Sequence, residues 1–170
     1  MMKGFSSPHL LLAAANPLRM IQNLNHILQP AELAKLSAEL DRNAKQLFAL
    51  GESHLTFAAP LSDTAWRQKI SRLYYAVYNF RRSVVFRDSG RFSTDASDHG
   101  NVEQLPDGLD NRESHVLKLR SLREDRNLAD YSHQAVITDL VISPTDALTF
   151  AESFNSDCRN FLLSKHGLAV

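Results

Sequence analysis

Residues 66–85 read WRQKISRLYYAVYNFRRSVV. Trp66, Ile70, Leu73, Val77, Phe80 and Val84 recur at alternating spacings of four and three. At about 100° per residue they form one stripe along an α-helix. Tyr74, Tyr78 and Val85 form a second stripe, turned from the first by about a quarter turn or more. A helix apolar over that width needs several neighbours, so the stretch predicts the central helix of a helical protein. Clean period-two alternation, the mark of a half-buried strand, is not sustained anywhere in the chain.

The flanking sequence supplies the neighbours. Asn16-Pro17 reads as an N-cap and first helical position, with Leu18, Ile21, Leu24 and Leu28 on the apolar side. Pro30 restarts the chain, Leu33, Leu36, Leu40, Leu47 and Leu50 carry a second helix, and Gly51 is placed to stop it. Ser62 or Asp63 is suited to cap the central helix. Beyond it, residues 88–111 are rich in Gly, Asp and Ser and predict a long irregular segment, a kind that is commonly functional. A further helix is expected over residues 112–131, then a β-branched extended connector over 135–142. Ser143-Pro144-Thr145-Asp146 starts the last helix, whose buried side is Ala147, Ala151, Phe154, Cys158, Phe161 and Leu162. The expected fold is all-α, a four- to five-helix up-and-down bundle forming one domain. Residues 61–170 would be its core, with 1–60 a helical extension packing on it.

Composition narrows the function. The single cysteine, Cys158, excludes an internal disulfide and a multi-cysteine metal site, and fits a reducing, cytoplasmic setting. The run Leu10-Leu11-Leu12-Ala13-Ala14-Ala15 is too short to span a membrane and lacks the basic flank of a signal peptide. No membrane association is expected. No phosphate-binding loop, dinucleotide glycine motif or metal-ligand spacing is found, so no cofactor and no metal are expected. Lys plus Arg and Asp plus Glu balance at 19 each, but the charges are segregated. Residues 66–91 hold seven basic side chains against Asp88, and residues 92–113 hold six acids against Arg112. The basic stretch is either a solvated helix face or a surface that attracts phosphate. Arg72, Arg81 and Arg82 are its candidate contacts to an RNA backbone. Tyr74, Tyr75 and Tyr78 suit either base stacking or the core.

The sharpest motif is LREDRNLADYSHQ at residues 122–134. With Arg126 at zero on a helical wheel, His115, Leu119, Leu122, Ala129 and His133 fall within about 60° of it. An arginine on an apolar stripe needs a partner, because burying it alone is costly. Asp130, four residues on, is one partner; a second subunit or a binding cleft is another. Arg126 and His133 could also serve metal-free RNA cleavage, in which the ribose 2′-hydroxyl attacks phosphorus. Histidine would move the proton and arginine would stabilise the phosphoryl charge. His99 is a candidate second acid or base, and His115 is expected at the surface.

Tyr74-Tyr75-Ala76-Val77-Tyr78, Asp98-His99-Gly100 and Arg126-Asn127-Leu128-Ala129-Asp130-Tyr131, in that order, resemble motifs of bacterial HEPN domains. The resemblance covers residues 62–163. It implies a dimerising helical bundle, and in many members a metal-independent ribonuclease of toxin–antitoxin, CRISPR or anti-phage systems. The family's site is an Arg, a polar residue, and a His after four to six intervening residues, assembled across a homodimer. Carried onto this chain, the catalytic set is Arg126, Asn127 and His133, with six residues intervening and Asp130 and Tyr131 in support. Arg72, Arg81, Arg82, Tyr75 and His99 would contact RNA. The alternative is a non-catalytic HEPN module that binds RNA, a nucleotide, or a nucleotidyltransferase or antitoxin partner. A third reading is a purely structural dimerising adaptor.

Overall fold

The structure, a computed structural model, describes residues 16–93 and 96–170. No strand occurs among them, and the helices pack as an all-α bundle. They are α1 (Pro17–Asn23), α2 (Pro30–Ala58), α3 (Trp66–Ser89), α4 (Arg112–Tyr131) and α5 (Pro144–His166). Short 3-10 turns lie at Leu24–His26, Asp63–Ala65, Ala96–Asn101 and Ile137–Asp139. The run at residues 10–15 lies outside the described residues. No described helix is long and apolar enough to cross a membrane.

Helix α3 is central, as its width predicts: α2, α4 and α5 all pack on it. Both of its stripes are buried, including Ile70, Leu73, Tyr74, Val77, Phe80 and Val84. Burial of each such side chain contributes about 1.5–3 kcal/mol. Helix α2 runs antiparallel to α3. Asp41 pairs with Arg87, Ala44 O accepts from Ser83 Oγ, and Phe48 packs on Phe80.

Gly51 does not stop α2, which continues to Ala58. The glycine marks a close approach instead. A Cβ there would lie 2.6 Å from Phe80 Cε1 and 2.9 Å from Ala76 O. The described part of the segment expected as an extension, residues 16–60, therefore shares one core with the rest.

Other ends follow the sequence. Asn16 Oδ1 accepts from Arg19 N, and its amide donates to Ser89 O, tying α1 to the end of α3. Ser143 caps α5 through Asp146 N. Gly90, at φ 68°, closes α3, and Cys158 is buried.

His115 is a correction. It is buried, its Nε2 lies 2.8 Å from Asp157 Oδ2, and its ring meets Phe154 edge-on. The acid that accommodates it lies on another helix, 42 residues away, where no local pattern can reveal it.

Candidate nucleic-acid interface

The site forms where α3 and α4 cross. Tyr74, Tyr75 and Tyr78 leave α3 on one side, and Arg126 meets them from α4. Arg126 Nη2 donates to the Tyr75 hydroxyl at 2.5 Å, and Nη1 donates to Asn127 Oδ1 at 3.1 Å. Nε lies 2.8 Å from Asp130 Oδ2, but its N–H is not aligned on that oxygen, so the pair is ionic without a directed hydrogen bond. The guanidinium also sits 5.1–5.6 Å from the ring centres of Tyr74, Tyr75 and Tyr131. This enclosure, with 11% of the side chain exposed, answers why an arginine stands on an apolar stripe.

The turn Ala96–Asn101 delivers a histidine to the same cluster. Its anchor is Asp98, which is buried, accepts from the Tyr78 hydroxyl at 2.8 Å, and pairs with Arg81 at 3.4 Å. The next residue, His99, stacks on Tyr78 with ring centres 4.5 Å apart, and its Nδ1 lies 2.7 Å from the Tyr74 hydroxyl. Burial pushes the Tyr74 phenol well up, so it keeps its proton. The Tyr74 hydroxyl donates to Nδ1 when a neutral His99 carries its proton on Nε2, and accepts from Nδ1 when the proton sits there. Burial first, then the charge of Arg126, lowers the pKa of His99, favouring the neutral form.

A second histidine flanks the cluster from α2. His54 lies 5.8 Å from the Tyr75 ring, and its Nδ1 is 3.4 Å from Arg72 Nη1. A guanidinium only donates, so in this contact Arg72 is the donor and Nδ1 the acceptor. The pKa of His54 is lowered by burial and then by Arg72. Arg72 lies 5.5 Å from the ring centre of Phe57, which is 56% exposed. Phe57, Arg67, Ser71, Arg72, Tyr75 and Asp130 line an open groove of about 450 Å³ that ends against Arg126's own partners.

The structure thus gathers Arg72, Tyr75, His99, Arg126, Asn127, Asp130 and Tyr131 into one region. Three expected members lie elsewhere. His133 shares Arg126's face only if the helix continues past the expected end at residue 131. Helix α4 ends at Tyr131, Ser132 turns to extended backbone at φ −96° and ψ 102°, and His133 lies exposed in the turn beyond. Arg81, expected on the RNA-facing surface, is internal: it is 4% exposed and donates to Asp98 and to the carbonyls of Asn101 and Gln104. Arg82 sits on the far side of Tyr78, 5.3 Å from its ring centre.

His54, Phe57 and Arg67 were not singled out from the sequence. His54 and Phe57 lie on the part of α2 beyond Gly51, so a helix stopped there loses both. Arg67 caps the end of α4 by donating to the carbonyls of Leu128, Ala129 and Ala135, contacts more than 60 residues away in sequence.

No protein-family model, curated protein or solved structure matches this chain.

Proposed function

We propose that the protein is a HEPN-like module that binds single-stranded RNA without cleaving it, through the groove running from Phe57 and Arg72 to Arg126. One observation carries this reading: the groove and the junction present the guanidinium groups of Arg72 and Arg126 beside the aromatic faces of Phe57 and Tyr75. His54 and His99 each have Nδ1 in a hydrogen-bond contact, with Arg72 and with the Tyr74 hydroxyl. Arg126 is held by Tyr75, Asn127 and Asp130, and His133 lies outside the helix. Such a set suits binding of phosphate oxygens. Phe57 and Tyr75 provide aromatic faces, which stack on any base and so give little sequence preference.

Fluorescence anisotropy with a labelled single-stranded RNA tests this. Binding is expected to weaken with rising salt and to weaken about 5-fold or more in Arg72→Ala or Phe57→Ala. Unchanged affinity in both variants would remove the groove from the reading.

The adjacency of Arg126 and His99 favours a second reading, a metal-independent ribonuclease. There His99, in the tautomer with its proton on Nδ1, would take the 2′-hydroxyl proton at Nε2 as O2′ bonds to phosphorus, and the imidazolium would return a proton to O5′ as the P–O5′ bond breaks, giving a 2′,3′-cyclic phosphate and a 5′-hydroxyl. RNA cleavage in EDTA that is lost in His99→Ala would establish it. In either reading the chain works as a homodimer, and an antitoxin or nucleotidyltransferase is the kind of partner the resemblance suggests. The exposed apolar side chains Tyr131, Val136, Ile137 and Val141 support pairing near the end of α4.

A further inference from the structure

Across Tyr78 and His99 from Arg126 lies a smaller, separate pocket of about 190 Å³. Arg81, Arg82 and Arg91 line it, together with Asp98, Phe92 and Gln104. The three arginines are not equivalent. Arg81 is neutralised by Asp98, and its other donors go to the carbonyls of Asn101 and Gln104. Arg82 is held between two rings, 5.3 Å from the centre of Tyr78 and 4.6 Å from that of Phe92. Its Nη2 donates to Ser93 O at 3.0 Å, while its Nε is buried with no acceptor. Arg91 stands on the rim, where it donates to Ser89 Oγ and Gln104 Oε1, both neutral acceptors. Among the described residues, neither Arg82 nor Arg91 has a carboxylate within ion-pairing distance. Among the described residues, therefore, two positive charges at the pocket have no carboxylate partner, one of them held by aromatic packing and with a donor that makes no hydrogen bond.

A buried guanidinium N–H without an acceptor is costly, and an anion at its guanidinium group would offset that cost. Arginine's planar fork suits tetrahedral oxyanions, and partial withdrawal from water strengthens the attraction. We propose that the Arg82–Arg91 pocket binds a phosphate monoester, with Arg82 as the inner donor and Arg91 closing the rim. The volume accommodates a phosphate group, and the opening leaves its ester substituent outside. Two sources share this chemistry: free inorganic phosphate, and the 5′-terminal phosphate of a nucleotide or RNA strand. The nearly parallel rings of Tyr74 and Tyr78, 6.0 Å apart, separate this pocket from Arg126, so a strand end held here would lie beside the junction. The pocket stands independently of the RNA groove, since Arg72 and Phe57 take no part in it.

The test is calorimetric titration of the full chain with inorganic phosphate, a 5′-phosphorylated dinucleotide and its 5′-hydroxyl counterpart, at constant ionic strength. The phosphorylated dinucleotide is expected to bind at least about 10-fold tighter than the hydroxyl form. Arg82→Met should abolish that preference, Arg91→Met should reduce it, and Arg72→Ala should leave it intact. Thermal melts show whether Arg82→Met is folded; the exposed Arg91→Met carries the test if it is not. Binding of inorganic phosphate without preference between the dinucleotides, lost in Arg82→Met or Arg91→Met, would assign the pocket to the free ion. Absence of both phosphate binding and preference would overturn the proposal. So would a preference unchanged in folded Arg82→Met and in Arg91→Met. A preference retained in Arg72→Ala would uphold the pocket even if the groove proved not to bind RNA.

Discussion

The turn Ala96–Asn101 and the connector after Tyr131 make an instructive pair. Each joins helices of the bundle, each carries a histidine, and each is fastened by a buried aspartate. In the turn the aspartate is the histidine's own neighbour. Asp98 is held by Tyr78 and Arg81, so His99 is delivered against the tyrosines with no room to wander. In the connector the fastening comes late. Asp125 on α4 accepts from Val141 N at 2.7 Å and Ile142 N at 2.9 Å, eight residues beyond His133. His133 is exposed before that latch is reached. Position on a helical wheel is a weaker guide to a site histidine than the nearest buried carboxylate.

Breaking the turn should have the largest effect. Arg81→Leu leaves the buried Asp98 charge uncompensated and is expected to cost about 3–5 kcal/mol in chemical denaturation. Loss of His99's ordered position should follow, seen as loss of its contacts with Tyr78 in NMR. Asp125→Ala should come next, at about 2–4 kcal/mol, because two backbone N–H groups lose a charged acceptor. Hydrogen exchange should then rise at Val141 and Ile142 while the Ala96–Asn101 turn stays protected. Equal loosening of both segments would contradict their independence.

Acid sharpens the contrast. His99 has a pKa below the ordinary histidine value of about 6.5. Its neutral form is therefore favoured by folding, and that contribution is complete above about pH 6.5. It is lost as pH falls through the lowered folded value. NMR titration should show His99 protonating below about pH 6.5, and His99→Gln should flatten this part of the stability profile. The smallest effect belongs to the connector: His133→Ala should change stability by less than about 0.5 kcal/mol.

The same contrast shows what the sequence could and could not reveal. Helix α4 and the cap of α5 were legible because periodicity, Ser143 and Pro144 are local signals. The width of α3 correctly announced its central place. Gly51 misled because the same residue that ends helices also permits close helix packing, and only Phe80 on another helix distinguishes the two uses. The burial of Arg81 and His115 depends on Asp98 and Asp157, partners 17 and 42 residues away. The motif residues Tyr75, His99 and Arg126 do meet, but the contacts of His99 with Tyr74 and of His54 with Arg72 are ones no spacing rule encodes.

The most direct test incubates labelled single-stranded RNA with the protein in EDTA and follows binding and strand integrity together, for the natural chain, Arg72→Ala, His99→Ala and His133→Ala. The natural chain and His133→Ala should bind the RNA alike and leave it intact, while Arg72→Ala binds it at least about 5-fold more weakly. Cleavage by the natural chain that disappears in His99→Ala or His133→Ala would contradict a purely binding role.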